Sequence, residues 1–250
     1  MMKKISAVLA VMLLAASAAL AQEEKAKGEA VVMPDIELVD IPTAGILDYG
    51  GFLMKTRFYN DGGVQGGLNF GVMERLNLGA TMTVDKLIGN DSPIRMRRPE
   101  IQVKFRFYDG GYYVPAVALG YDSQGYYYNP DVKKYREKGK GLYLVGSKEV
   151  GISNFVLHGG FNVPDFDNSY FFGFVGANYT LEDKLSFILE YDNVFHTDDP
   201  SRFNAGMRIY ITPYFQLDMA LREIGRSGEF EANVPRKPER IVQLRYNTSF

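Results

Sequence analysis

Segments of about ten residues in which apolar and polar side chains alternate strictly run through most of this chain. In "EIQVKFRF", Ile101, Val103, Phe105 and Phe107 alternate with Glu100, Gln102, Lys104 and Arg106. In "LNLGATMTV", Leu76, Leu78, Ala80, Met82 and Val84 alternate with Asn77, Gly79, Thr81 and Thr83. A period of two marks a β-strand with one apolar and one polar face. From Gly45 onward about twelve strands are expected, near 46–59, 64–73, 76–84, 100–108, 113–122, 141–148, 155–163, 170–180, 185–193, 202–211, 215–223 and 241–250. The faces of 141–148 are ambiguous. The fold class is all-β.

Two architectures use such strands. A soluble sandwich buries the apolar faces against each other. A membrane barrel turns them to lipid and keeps a polar lumen. The connectors favour the barrel. Links after the even-numbered strands are short: "MER", "DGGY", "EVGISN", "LEDK" and "TPY". Most links after odd strands are long, including 85–99, "DSQGYYYNPDVKKYREKGKG" and 224–240, although the first, "NDGG", is tight. Short turns at one end and long loops at the other belong to outer-membrane barrels. Strands of about ten residues also have transmembrane length. Phe58, Tyr59, Tyr108, Tyr113, Tyr121, Tyr170, Tyr191, Tyr210 and Tyr214 lie near strand ends, where interfacial girdles would sit. The final "IVQLRYNTSF" sets Val242, Leu244, Tyr246, Thr248 and Phe250 on one face, and its pairing with the first strand would leave no open edge. The expectation is a single antiparallel transmembrane β-barrel of about twelve strands, outer-membrane type, over 46–250.

The N-terminus agrees with export. A basic "MMKK" precedes the apolar "ISAVLAVMLLAASAAL", and Ala19-Leu20-Ala21 offers a small-x-small cleavage pattern. Residues 1–21 are expected to be a cleavable signal peptide and 22–45 a periplasmic leader. With no cysteine, neither a lipid anchor nor a disulfide is expected. Without residues 1–21, which hold Lys3 and Lys4 and no acid, the tally of 28 basic and 30 acidic residues becomes 26 and 30. That balance gives no charge argument for nucleic acid. The expected location is the outer membrane of a diderm bacterium. Expected partners are its lipid and lipopolysaccharide, and the barrel-assembly machinery, whose recognition signal Tyr246 and Phe250 resemble.

Sites for chemistry are few. His158 falls on the polar face of "FVLHGGFNV" with Asn162, so it points inward, and no serine is expected at strand spacing beside it. An outer-leaflet lipid hydrolase would need a His–Ser pair on the lipid-facing wall. His196 sits in the loop "FHTDDPS" beside Asp198 and Asp199, where a loose metal site is one reading and a commonplace solvated turn the favoured one. No zinc spacing or phosphate-binding glycine loop is present, no cofactor is expected, and the chain reads as a non-enzyme. The polar faces place Lys55, Arg57, Glu100, Lys104, Arg106, Glu190, Asp192, Arg208, Asp218, Arg222 and Arg245 in the lumen. They either pair and fill a narrow interior or line a charged conduit. In the fifth-strand loop, Tyr126, Tyr127 and Tyr128 precede Lys133, Lys134, Arg136, Lys138 and Lys140; the loop before it carries Lys86, Arg95, Arg97 and Arg98. Such cations suit lipopolysaccharide phosphates. Tyrosine faces beside cations would equally suit an acidic polysaccharide.

Four stretches, "IPTAGIL", "RFYNDGG", "GYDSQGYYY" and "LHGGFN", carry a resemblance to the YjbH-type outer-membrane proteins linked to exopolysaccharide production. The likeness spans about residues 42–250, although YjbH-type chains are commonly much longer. The resemblance implies an outer-membrane β-barrel and suggests polysaccharide secretion, and it brings no catalytic residues. The expected function is a non-enzymatic accessory to surface or exopolysaccharide secretion or assembly. The alternatives are a porin-like channel for small solutes and an outer-leaflet lipid-modifying enzyme.

Overall fold

The computed structural model describes residues 35–90, 93–129, 131–164, 170–195, 200–225, 229–231 and 234–249. The chain begins its strands with β1 (Gly51–Tyr59), β2 (Gly63–Met73), β3 (Leu76–Asp85) and the short β4 (Arg95–Met96). β5 (Glu100–Tyr108) and β6 (Ala116–Asp122) follow, then a loop hairpin of β7 (Tyr126–Asn129) and β8 (Lys134–Glu137). Next come β9 (Gly141–Glu149), β10 (Phe155–Val163), β11 (Phe172–Leu181), β12 (Leu185–Asp192), β13 (Arg202–Tyr210) and β14 (Phe215–Arg222). A second loop hairpin, β15 (Glu229–Glu231) and β16 (Val234–Pro235), precedes β17 (Glu239–Ser249).

Twelve of these strands form one closed antiparallel sheet, in the order β1, β2, β3, β5, β6, β9, β10, β11, β12, β13, β14, β17. β17 returns to β1 and closes the ring, with Lys55 opposite Arg245 and Arg57 opposite Gln243. Closure leaves no unpaired edge among the twelve. Each barrel strand matches one alternating segment of the sequence. β2–β3, β11–β12 and β13–β14 are joined through residues 74–75, 182–184 and 211–214, whereas 86–99, 123–140 and 223–238 form long loops at the opposite end. The tight first hairpin turns on the 3-10 segment Asn60–Gly62. Gly62 adopts φ +68°, and a Cβ there would lie 1.7 Å from the Ile88 carbonyl oxygen. Only glycine fits.

The polarity is that of a membrane protein. Arg208, Arg222 and Arg245 head the largest fully buried side chains, places that a water-soluble fold mostly gives to apolar groups. Leu78, Phe105, Leu119, Leu144, Phe187 and Leu189 stand on the outer wall and are exposed by 41–51 %. An apolar outside around a charged inside is stable only with lipid as the outer solvent. The chain is a transmembrane β-barrel of the outer-membrane type. Two girdle tyrosines face inward instead. Tyr59 donates to Asp85 Oδ1 at 2.8 Å, and Tyr210 donates to Asp35 Oδ2 at 2.9 Å. A phenol at a strand end finds a buried carboxylate as readily as a headgroup.

The lumen is occupied by the chain itself. Residues 35–45, the end of the expected periplasmic leader, run with 46–48 inside the barrel. A turn folds this plug, Leu38 N–H donating to the Ile41 carbonyl at 2.9 Å. Leu38, Ile41 and Ala44 are buried against lumen-facing Ala118, Val145, Phe174, Ile188 and Ala220. The wall makes room: a Cβ on Gly176 would approach Leu38 Cδ1 to 2.8 Å, and one on Gly206 would approach Val39 Cγ2 to 3.3 Å. The signal peptide and residues 22–34 lie outside the described residues.

Candidate functional site

All eleven charges assigned to the lumen from the strand alternation are buried there. Seven are cations and four are carboxylates, so the wall carries an excess of positive charge. The plug supplies three acids. Asp35 pairs with Arg208, and Glu37 pairs with Lys55 at 2.7 Å and Arg245 at 3.5 Å. Asp40 pairs with Arg57 at 2.8 Å and with Arg222. The wall also satisfies the plug's backbone. Glu190 Oε1 accepts the N–H groups of Val39, Asp40 and Ile41 at 2.7, 2.9 and 3.0 Å. Lys104 Nζ donates to the carbonyls of Ile36 and Gly45. Buried ions and peptide groups are tolerable because each has a partner.

His158 belongs to the same scaffold, and here the sequence expectation is corrected. A serine does sit beside it: Ser147 lies directly opposite on β9, in the strand whose face assignment was ambiguous. Ser147 Oγ is 2.8 Å from His158 Nδ1, and His158 Nε2 is 2.8 Å from Asn178 Oδ1. An amide oxygen only accepts, so Nε2 carries the proton and Nδ1 accepts from the serine hydroxyl. Ser147 Oγ in turn accepts the Ala44 N–H at 2.8 Å. The relay faces the lumen under the plug, away from lipid, and it anchors Ala44. His196, Asp198 and Asp199 lie outside the described residues.

The tyrosine loop turns inward at the long-loop end. Asp40 joins it to the plug: Tyr126 Oη donates to Asp40 Oδ1 at 2.9 Å and accepts from Arg57 Nη1 at 3.1 Å. The Arg222 guanidinium stacks 3.8 Å from the Tyr126 ring centre, a close cation–π contact. Arg222 also pairs with Glu137 of β8 at 2.8 Å and with Glu239 of β17 at 2.6 Å. Arg202 bridges Glu137 at 2.8 Å and Asp192 at 2.6 Å, and Lys140 reaches Asp192 at 2.6 Å. Glu100 accepts from Tyr135 at 3.1 Å and pairs with exposed Arg98 at 3.1 Å. Arg106 pairs with Asp109 at 2.9 Å, and Arg208 with Asp218 at 2.8 Å. The plug, the wall and the β7–β8 hairpin are one charged network.

Above it opens a cleft of about 520 Å³, lined by seven cations and three carboxylates together with Tyr59, Tyr126, Tyr127 and Tyr128. Deeper cavities measure only about 40 Å³ beside Lys104 and about 20 Å³ beside Asp192, room for a few waters at most. Arg97, held by Asp85, lies over the rings of Tyr128 and Tyr135 at 5.2 and 5.7 Å. Arg136 lines the cleft, while Lys133, Lys134 and Lys138 are exposed on the hairpin. Tyr246 points outward between Met54 and Phe215, and Phe250 lies outside the described residues. The loop cations and tyrosines were visible in the sequence. Their inward fold was not, because it depends on Asp40, 86 positions from Tyr126.

No family model matches the chain, and no curated protein matches it. Solved barrels do align with it. A NanC porin matches at 7 % identity and TM-score 0.45, over 80 % of this chain and 99 % of that one. A mutant porin of Rh. blastica matches at 8 % identity and TM-score 0.36, over 75 % of this chain and 56 % of that one. OprD of Pseudomonas aeruginosa matches at 14 % identity and TM-score 0.30, over 69 % of this chain and 47 % of that one. The chain thus spans about half the length of the last two. Likeness at these scores adds nothing to the fold, which rests on the closed sheet itself.

Proposed function

We propose that this chain is a non-enzymatic outer-membrane barrel that serves surface or exopolysaccharide secretion or assembly from its outer mouth. The observation that carries this reading is the filled lumen beneath a tyrosine- and cation-lined cleft. A barrel closed from within works through its exposed end, where tyrosine faces and basic groups meet cell-surface sugar. A strain lacking the chain should release less acidic polysaccharide, and plasmid-borne chain should restore the output. Unchanged output in the deletion strain overturns the reading.

A second reading, a gated channel for small solutes, is favoured by how the plug is held. Its contacts to the wall are ion pairs, hydrogen bonds and apolar packing, with no strand pairing to the sheet. Such contacts can exchange for water or solute without breaking the barrel. Deleting residues 35–48 should then leave a folded barrel with a steady ion conductance. A deleted form that inserts and stays non-conducting removes the channel reading.

A further inference from the structure

Besides Arg136, the cations of the outer cleft fall into two groups. Arg57, Arg97 and Arg222 are committed to carboxylates at 2.8 Å or closer. Lys86, Arg95 and Lys237 line the same cleft with no acidic partner among the described residues. They come from the two loops that flank the cleft, 86–99 and 223–238. Uncommitted positive charge gathered around a concave site of this size calls for an anion.

The aromatic side of the cleft is equally specific. The β7–β8 ladder holds one register, pairing Tyr126 with Glu137, Tyr128 with Tyr135 and Asn129 with Lys134, so Tyr127 falls between two paired tyrosines. Its backbone sits at φ +50°, a conformation that costs a non-glycine residue about 1–3 kcal/mol. That conformation turns the chain locally at Tyr127, which lines the cleft wall with Tyr126 and Tyr128. An inorganic ion needs only the charges. A flat aromatic wall adds value for a ligand that also has an apolar ring face.

Resting on the polysaccharide reading above, we infer that the outer cleft binds an acidic saccharide of the uronic acid class. Its carboxylate meets Lys86, Arg95 and Lys237, and its sugar ring lies against Tyr127. The cleft volume of about 520 Å³ suits a short oligosaccharide segment. Because the bound groups are charge-paired at an exposed mouth, affinity falls as ionic strength rises.

The test is calorimetric titration of the full chain, refolded in detergent, with trigalacturonate and separately with its methyl ester. Trigalacturonate is expected to bind, and the uncharged ester to bind at least tenfold more weakly. Lys86→Gln, Arg95→Gln and Lys237→Gln each lose a charge-assisted contact and should weaken binding about tenfold. Tyr127→Gly keeps the backbone conformation, removes the ring and should also weaken it. Inorganic pyrophosphate binding as tightly as trigalacturonate, unaffected by Tyr127→Gly, would reassign the cleft to lipopolysaccharide phosphates and overturn the inference. So would absent binding by a correctly folded chain. Failure of the secretion reading looks different: trigalacturonate binds, the variants lose it, and polysaccharide output in cells does not change.

Discussion

Asp40 is the residue on which the interior turns. It meets Arg57, Arg222 and Tyr126, and so touches the plug, two stretches of wall and the hairpin at once. Asp40→Asn leaves Arg57 without a carboxylate in a buried site, a loss of about 3–5 kcal/mol. The expected result is a clear fall in the urea midpoint of the detergent-refolded barrel. Glu182→Gln is the control: its pair with Lys184 spans 3.9 Å between side chains 76 and 79 % exposed, so no measurable shift is expected. A similar shift in both variants would contradict the role given to Asp40. Glu223, in the loop beyond β14, supplies a pH dependence. Burial raises its carboxyl, and despite Arg236 the Glu137 carboxylate helps push it from 4.5 to about 7. A raised acid stabilises the docked loop fully below its unfolded value, and that contribution fades as pH rises through the folded one. Protease cleavage near Lys237 should therefore increase between about pH 5 and pH 8, and Glu223→Gln should flatten the rise. A wild-type profile already flat over that range would exclude this role for Glu223.

At the scale of elements, the twelve strands were legible because each writes its own two-residue period, and the turn asymmetry was legible because loop length is local. The plug was not. "DIELVDIPTAGILD" has no clean period, since its contacts are set by wall residues more than a hundred positions away, such as Glu190 and Ser147. Two signals did point to it. The polar strand faces carry apolar Ala118, Val145, Phe174 and Ile188, which need an apolar partner inside. The lumen cations also outnumber the lumen acids, and the balance had to come from elsewhere in the chain. The inward hairpin was hidden for the same reason, since Tyr126 finds its partners only once Asp40 is in place. Fit between plug and wall can be tested at Gly176, where a Cβ would crowd Leu38. Gly176→Val should loosen the plug and give flickering conductance that the wild type lacks. A silent Gly176→Val barrel of normal stability would show that the plug has slack there.

For the whole molecule, the inverted polarity and the filled lumen define what the barrel can do. An apolar belt places it in lipid, and its arginines sit inside because plug, hairpin and wall together bring carboxylates to them. The central claim is that the resting barrel is closed by its own N-terminal segment. The most direct measurement is single-channel recording of the refolded full chain in a planar bilayer, with insertion verified by protease protection. The expected result is insertion without a standing conductance. A steady, ohmic, charge-selective current from the unmodified chain would contradict it.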